Sequence, residues 1–107
     1  MEKQFTDQNF QEEVIEASKS KPVLVDFFAS WCGPCKMMAP VIEEVAKELG
    51  ESAAVGKLDT EANREMSGKY EIMSIPTILL FKDGEIKETL VGGQSKEALV
   101  EVIKKYS

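Results

Sequence analysis

A chain of 107 residues with 43% hydrophobic content has room for one ordinary core, so a single domain over residues 1–107 is expected. Thirteen basic and 19 acidic residues give a net charge of −6; no basic cluster of the kind a nucleic-acid surface needs is present, and no apolar run approaches the length of a membrane span. The opening Met1-Glu2-Lys3-Gln4 has neither the apolar core of a secretion signal nor the character of a transit peptide, which points to a cytoplasmic protein, or to an organellar one whose transit peptide has been removed.

Lys3 to Phe5 reads as a short edge strand. Thr6 or Asp7 can cap a helix that carries Phe10, Val14 and Ala17 on one face. Ser18 to Lys21 is a polar loop ending at Pro22. Val23-Leu24-Val25-Asp26-Phe27-Phe28 is apolar on both faces except at Asp26, the mark of a central strand covered by helices on each side. The next helix, leading out through Met37 to Leu49, carries Met38, Ile42, Val45, Ala46 and Leu49 on one stripe, with Met37 and Val41 beside it. Pro34 fits a first helical turn, Pro40 predicts a kink, and Gly50 is a stop.

Ala53 to Leu58 reads as a second central strand, interrupted by Lys57. Ala62, Met66 and Tyr70 suggest a short helix. Ile75-Pro76-Thr77 then introduces the strand Ile78 to Phe81. Asp83-Gly84 is a hairpin signal, so the strand Ile86 to Val91 should run antiparallel, its Lys87-Glu88 pair suiting an edge. Gly92-Gly93 ends it. Ser95 can cap a last helix with Leu99, Val102, Ile103 and Tyr106 on one stripe, and Lys104 and Lys105 complement its C-terminal dipole. The order β-α-β-α-β-α-β-β-α gives an α/β fold with a mixed sheet between helices.

The only two cysteines and the only tryptophan fall in Trp31-Cys32-Gly33-Pro34-Cys35-Lys36, between a strand end and a helix start. Ligands of open α/β sheets gather at such carboxyl ends. A helix start offers free N–H groups and a favourable dipole, which ease ionisation of a thiol, and the thiolate is the reactive form. Cys32, at the cap, should be the attacking thiol; Cys35, one turn further in, should be shielded. A structural zinc site wants four Cys or His ligands, and this chain has two cysteines and no histidine. A redox pair is the better reading.

Asp26 is expected to be buried with a raised pKa and placed to accept a proton from Cys35. Lys57 is either its partner or a side chain snorkelling to water. Trp31 suits a docking surface as well as a core. Gly92 and Gly93 are turn residues or places where a partner backbone comes close. Met37, Met38, Met66 and Met73 read as core and rim filler.

Asp26, Trp31-Cys32-Gly33-Pro34-Cys35-Lys36, Pro40, Lys57, Ile75-Pro76-Thr77, Asp83-Gly84 and Gly92 together resemble the thioredoxin family over the whole chain. The resemblance implies the thioredoxin fold, a central five-stranded mixed sheet flanked by four helices. It implies Cys32 as nucleophile, Cys35 as resolving cysteine, and Asp26 with Lys57 as a buried acid–amine pair. Gly33 and Pro34 would shape the site, and Pro76 would be a cis-proline facing the disulfide. Trp31, Ile75, Pro76 and Gly92 would line a shallow apolar groove. Phe28 stands where many members carry tryptophan, and Met73-Ser74 departs from the common pattern without touching the chemistry.

The implied activity is reduction of disulfides in target proteins by a monomer, with no bound cofactor beyond the redox-active Cys32–Cys35 disulfide. No flavin or nicotinamide fingerprint occurs in the chain, so a separate thioredoxin reductase or equivalent would restore the dithiol. Two other readings are a disulfide oxidase or isomerase, and a binding subunit whose cysteines are incidental.

Overall fold

A computed structural model describes residues 2–107. Five strands form one sheet: β1 Lys3–Gln4, β2 Val23–Phe28, β3 Ala54–Asp59, β4 Thr77–Lys82 and β5 Glu85–Val91, in spatial order β1-β3-β2-β4-β5. β1 and β2 each run parallel to β3, and β4 runs antiparallel to both β2 and β5. The sheet is therefore mixed, with β2 near its centre and short or polar strands at both edges. The helices are α1, a π-type segment Gln11–Glu16 tightening into a 3-10 turn Ala17–Lys19; α2, Gly33–Leu49; α3, Arg64–Lys69; and α4, Lys96–Lys105.

Strand period decides which side chains reach which helices. Leu24, Val55, Ile78 and Leu80 pack with Met38, Ile42, Val45 and Ala46 of α2 and Leu99 and Ile103 of α4. Val23, Val25, Phe27, Leu58, Leu79 and Phe81 pack on the other face with Phe5, Phe10 and Val14, and with Met66 and Tyr70 at its margin. Both faces of β2 are thus covered, which is why its sequence is an apolar run rather than an alternation. By the same parity Asp26 points with Leu24 toward α2, and Lys57 points the same way with Val55.

Several local devices act as the sequence suggests. The Ser95 side chain accepts from the Ala98 N–H at 3.1 Å, capping α4. Asp83 and Gly84 both have positive φ, 57° and 79°, the conformation a two-residue hairpin needs. α2 ends at Gly50, φ 54°, as expected; Pro40, for which a kink is expected, lies exposed inside a helix that runs unbroken from Gly33 to Leu49.

Other expectations change. Thr6 and Asn9 exchange backbone-to-side-chain hydrogen bonds of 2.8 and 3.1 Å ahead of α1. Asp7 leaves that helix altogether: its carboxylate accepts from the Glu65 and Met66 N–H groups, 3.2 and 2.9 Å away, and caps α3. Of the methionines expected in the core or at its rim, Met38 is buried, while Met37 and Met73 are surface residues, 77% and 91% exposed. The supposed loop residue Ser18 is buried; its hydroxyl accepts from the Gly84 N–H at 2.8 Å and its carbonyl accepts from Asp83, tying α1 to the β4–β5 hairpin.

Candidate active site at the N-terminus of α2

β2 ends at Phe28, and a tight turn closed by the Cys32 N–H donating to the Ala29 carbonyl at 3.1 Å delivers the chain to α2. Cys32 is the N-cap, with extended backbone, and Pro34 sits in the first turn where no N–H is needed. Cys32 and Cys35 are joined as a disulfide, with Cα atoms 5.2 Å apart. The Cys35 N–H points at Cys32 Sγ from 3.2 Å. A sulfur that replaces the usual capping oxygen, facing free N–H groups and the positive end of α2, is where negative charge is favoured.

The expected contrast in exposure between the two cysteines is absent from the oxidised form: each is 4% exposed. Both sulfurs lie beneath the same cover, packed with Ala29 and flanked by Phe28 and Ile75. Cys32 Sγ lies 3.9 Å from the Ile75 carbonyl oxygen. What distinguishes the cysteines here is position on the helix.

Ile75, Pro76 and Gly92 come together beside the disulfide. The Ile75–Pro76 peptide is cis, Pro76 is buried, and its carbonyl accepts from the Gly92 N–H at 2.8 Å. Gly92 itself has φ 90°, a conformation that suits glycine. Trp31 projects into solvent, 66% exposed, so the core alternative for it is excluded. Its indole N–H donates to Glu61 Oε2 at 2.8 Å, which fixes the ring over the loop after β3. Glu61 was not legible as part of the site: it lies 30 residues from Trp31 in a polar stretch with no motif. Pro34, Met37, Met38 and Val41 line an open apolar depression of about 290 Å³, bounded by Gly93 and Gln94.

Asp26 is 1% exposed, and neither carboxylate oxygen has a hydrogen-bond partner among the described residues. Burial pushes its pKa from 3.8 up to about 7; the Lys57 ammonium pulls it down and the Glu2 carboxylate pushes it up. The implied acid–amine pair is corrected in part. Asp26 and Lys57 stand opposite each other in register, but the Lys57 ammonium makes its ion pair with Glu2, at 3.3 Å. It also lies 5.3 Å from the centre of the Phe28 ring. A cavity of about 100 Å³ runs between Cys35 and Lys57 past Phe28, roomy enough for water.

No cluster of three or more His, Cys, Asp or Glu that could hold a metal occurs among the described residues, and no helix among them is long and apolar enough to cross a membrane.

A bonded Cys-x-x-Cys pair capping a helix at the carboxyl edge of a mixed, helix-covered sheet defines a dithiol–disulfide oxidoreductase. The thioredoxin family model matches residues 2–105. The chain is 52% identical to a thioredoxin of Bacillus subtilis over 101 residues, 94% of this chain and 93% of that one. It is 49% identical to a thioredoxin of Listeria monocytogenes over 106 residues, 99% of each chain. A thioredoxin of Staphylococcus haemolyticus is 50% identical over 101 residues, again 94% and 93% of the two chains. The chain belongs to the thioredoxin family.

Proposed function

We propose that this single-domain protein reduces disulfides in target proteins and is returned to the dithiol by a separate reductase. The observation that carries this reading is the Cys35 N–H aimed at Cys32 Sγ on the N-cap of α2. The Cys32 thiolate attacks one sulfur of the target disulfide; a mixed disulfide forms and the first target sulfur leaves as a thiolate. The Cys35 thiol gives up its proton, and its thiolate attacks Cys32 Sγ. The Cys32–Cys35 bond forms, the mixed disulfide breaks, and the second target sulfur leaves. Two electrons pass to the target.

Cys32 is the nucleophile and Cys35 the resolving thiol, one helical turn apart, so the second attack is effectively unimolecular. Asp26 takes the Cys35 proton: its pKa of about 7 suits a base working near neutrality, and Lys57, its partner in register, lines the same small cavity as Cys35. Lys57 modulates that carboxyl. Gly33 and Pro34 shape the turn between the thiols. An extended target segment lies against Trp31, Ile75, Pro76 and Gly92, where exposed aromatic surface, apolar side chains and a bare backbone adjoin the disulfide. The partners are the reductase and disulfide-bearing proteins; the protein works as a monomer in the cytoplasm, or in an organelle.

Cys35→Ser tests the scheme directly. It should accumulate a stable mixed disulfide with a model disulfide protein and lose multiple turnover. Continued turnover by that variant overturns the two-cysteine mechanism.

A further inference from the structure

Glu2 lies outside every motif in the chain, yet it meets Lys57, the cation that acts on Asp26 among the described residues. Three adjacent strands bring the groups together. Gln4 of β1 is paired with Lys57 of β3, and Lys57 is paired with Asp26 of β2. Residues paired across strands share a face, and Glu2, two positions before Gln4, keeps to that side. Its carboxylate lies 3.3 Å from the Lys57 ammonium, both side chains largely covered, 16% and 21% exposed. The contact is ionic without hydrogen-bond alignment, since Glu2 Oε2 is buried and has no aligned donor. Asp26, meanwhile, has no hydrogen-bond partner at either oxygen.

An ammonium has limited reach, and its attraction to one carboxylate weakens its hold on another. We propose that Glu2 is a positioning residue of the redox site: by holding the Lys57 ammonium in an ion pair of its own, it leaves the Asp26 carboxyl without a cationic hydrogen-bond partner and free to receive the proton released by Cys35. The role of Asp26 in this statement rests on the mechanism proposed above; the hold of Glu2 on Lys57 does not.

Among the described residues, the charged groups around Asp26 and the cavity are Lys57 on β3, Glu2 ahead of β1 and Lys36 at the start of α2; Cys35, also lining the cavity, titrates only once the disulfide is reduced. β4 presents the apolar Ile78 opposite Asp26. Lys57 pulls the Asp26 pKa down, and the Glu2 charge also pushes it up directly; the part of the Glu2 effect that runs through Lys57 is what the double variant isolates.

The test is NMR titration of the Asp26 carboxyl in the oxidised protein for wild type, Glu2→Gln, Lys57→Met and the double variant. Glu2→Gln releases Lys57 toward Asp26 and removes a like charge, so the midpoint should fall by on the order of one pH unit. Lys57→Met should raise it. In the Lys57→Met background, Glu2→Gln should move the midpoint far less. An unmoved midpoint in Glu2→Gln overturns the proposal. So does a Glu2→Gln shift that is as large in the Lys57→Met background as in wild type, because the whole effect of Glu2 would then be direct repulsion of the Asp26 charge. The pH profile of Cys35 attack on a mixed disulfide should follow the titration. If the titration moves and the rate profile stays fixed, Asp26 is not the base, while the role of Glu2 toward Lys57 stands.

Discussion

The two sides of α2 treat a carboxylate in opposite ways. Beneath the helix, Asp26 is buried with no hydrogen-bond partner and holds its proton up to about pH 7. On the outside, Glu48 meets Lys96 of α4 at 2.9 Å, and a hydrogen bond from that lysine holds its pKa below the ordinary value. A cation is near in both cases: Lys57 stands opposite Asp26 in register. What differs is water. Around Glu48 the solvent already stabilises the charge, so the lysine adds little. Around Asp26 the solvent is gone, and the energetic penalty of charge outweighs the pull of a lysine that is paired elsewhere. Desolvation, more than the nearest opposite charge, sets which carboxylate can exchange protons near neutrality.

Four substitutions break or sharpen this contrast. Asp26→Asn should give the largest change. Between pH 3.8 and about 7 the native state binds the proton that the unfolded state has lost, so wild-type stability falls as pH rises through that window. The cost is absent below the window and complete above it. At about 1.4 kcal/mol per pH unit it reaches up to about 4 kcal/mol. Urea denaturation of the oxidised protein should therefore find Asp26→Asn more stable by up to that amount at pH 9 and equal to wild type at pH 3. A gain that does not vary with pH would mean that packing, not ionisation, separates the two.

Ile42→Ala probes the same inner face of α2 with no charge involved. The side chain is fully buried in the cluster with Leu24 and Leu99. Its truncation should cost about 3 kcal/mol at every pH, and a loss that varied with pH would tie the core to the Asp26 equilibrium. Asp7→Ala removes a carboxylate that works through geometry alone, by accepting two N–H groups at the start of α3. It should cost about 1 kcal/mol in denaturation, with the loss localised to residues 64–69 in amide hydrogen exchange. Glu48→Gln should leave the denaturation midpoint where it was, at low and at high salt alike. A measurable loss at low salt would put the outer pair closer to Asp26 in kind than its exposure allows.

Much of the site was legible along the chain. The both-face apolar pattern of Val23 to Phe28 marks the central strand, and the pair of thiols at its exit marks the chemistry. The lone polar position in that strand marks Asp26. Each of these signals is local and rests on a period or a spacing. What the chain leaves open has a different character. By its sequence Lys57 is either the partner of Asp26 or a side chain snorkelling to water, and the register sets the two side by side. Its ion pair goes instead to Glu2, which β1 brings in from the far end of the chain. Thr6 and Asp7 are equal candidates to cap α1 by sequence, but Asp7 serves α3, nearly 60 residues on. Trp31 and Glu61, and Ser18 and Gly84, are likewise pairs that only folding assembles. Met37 and Met73 belong to the surface and not the core, because helical or loop position does not say which apolar side chains the fold leaves uncovered.

By itself the sequence determined the order of elements, the covering of β2 on both faces, the capping of α2 by a cysteine and the placing of a second thiol one turn behind it. These follow from side-chain periodicity and from the backbone groups a helix start leaves unpaired, and both are properties of neighbouring residues. Only the tertiary structure decided which cation each buried acid meets, how deeply the two sulfurs are covered, and which surface residues flank them. Those outcomes depend on desolvation and on contacts between segments far apart in the chain, which come into being only when the strands and helices pack.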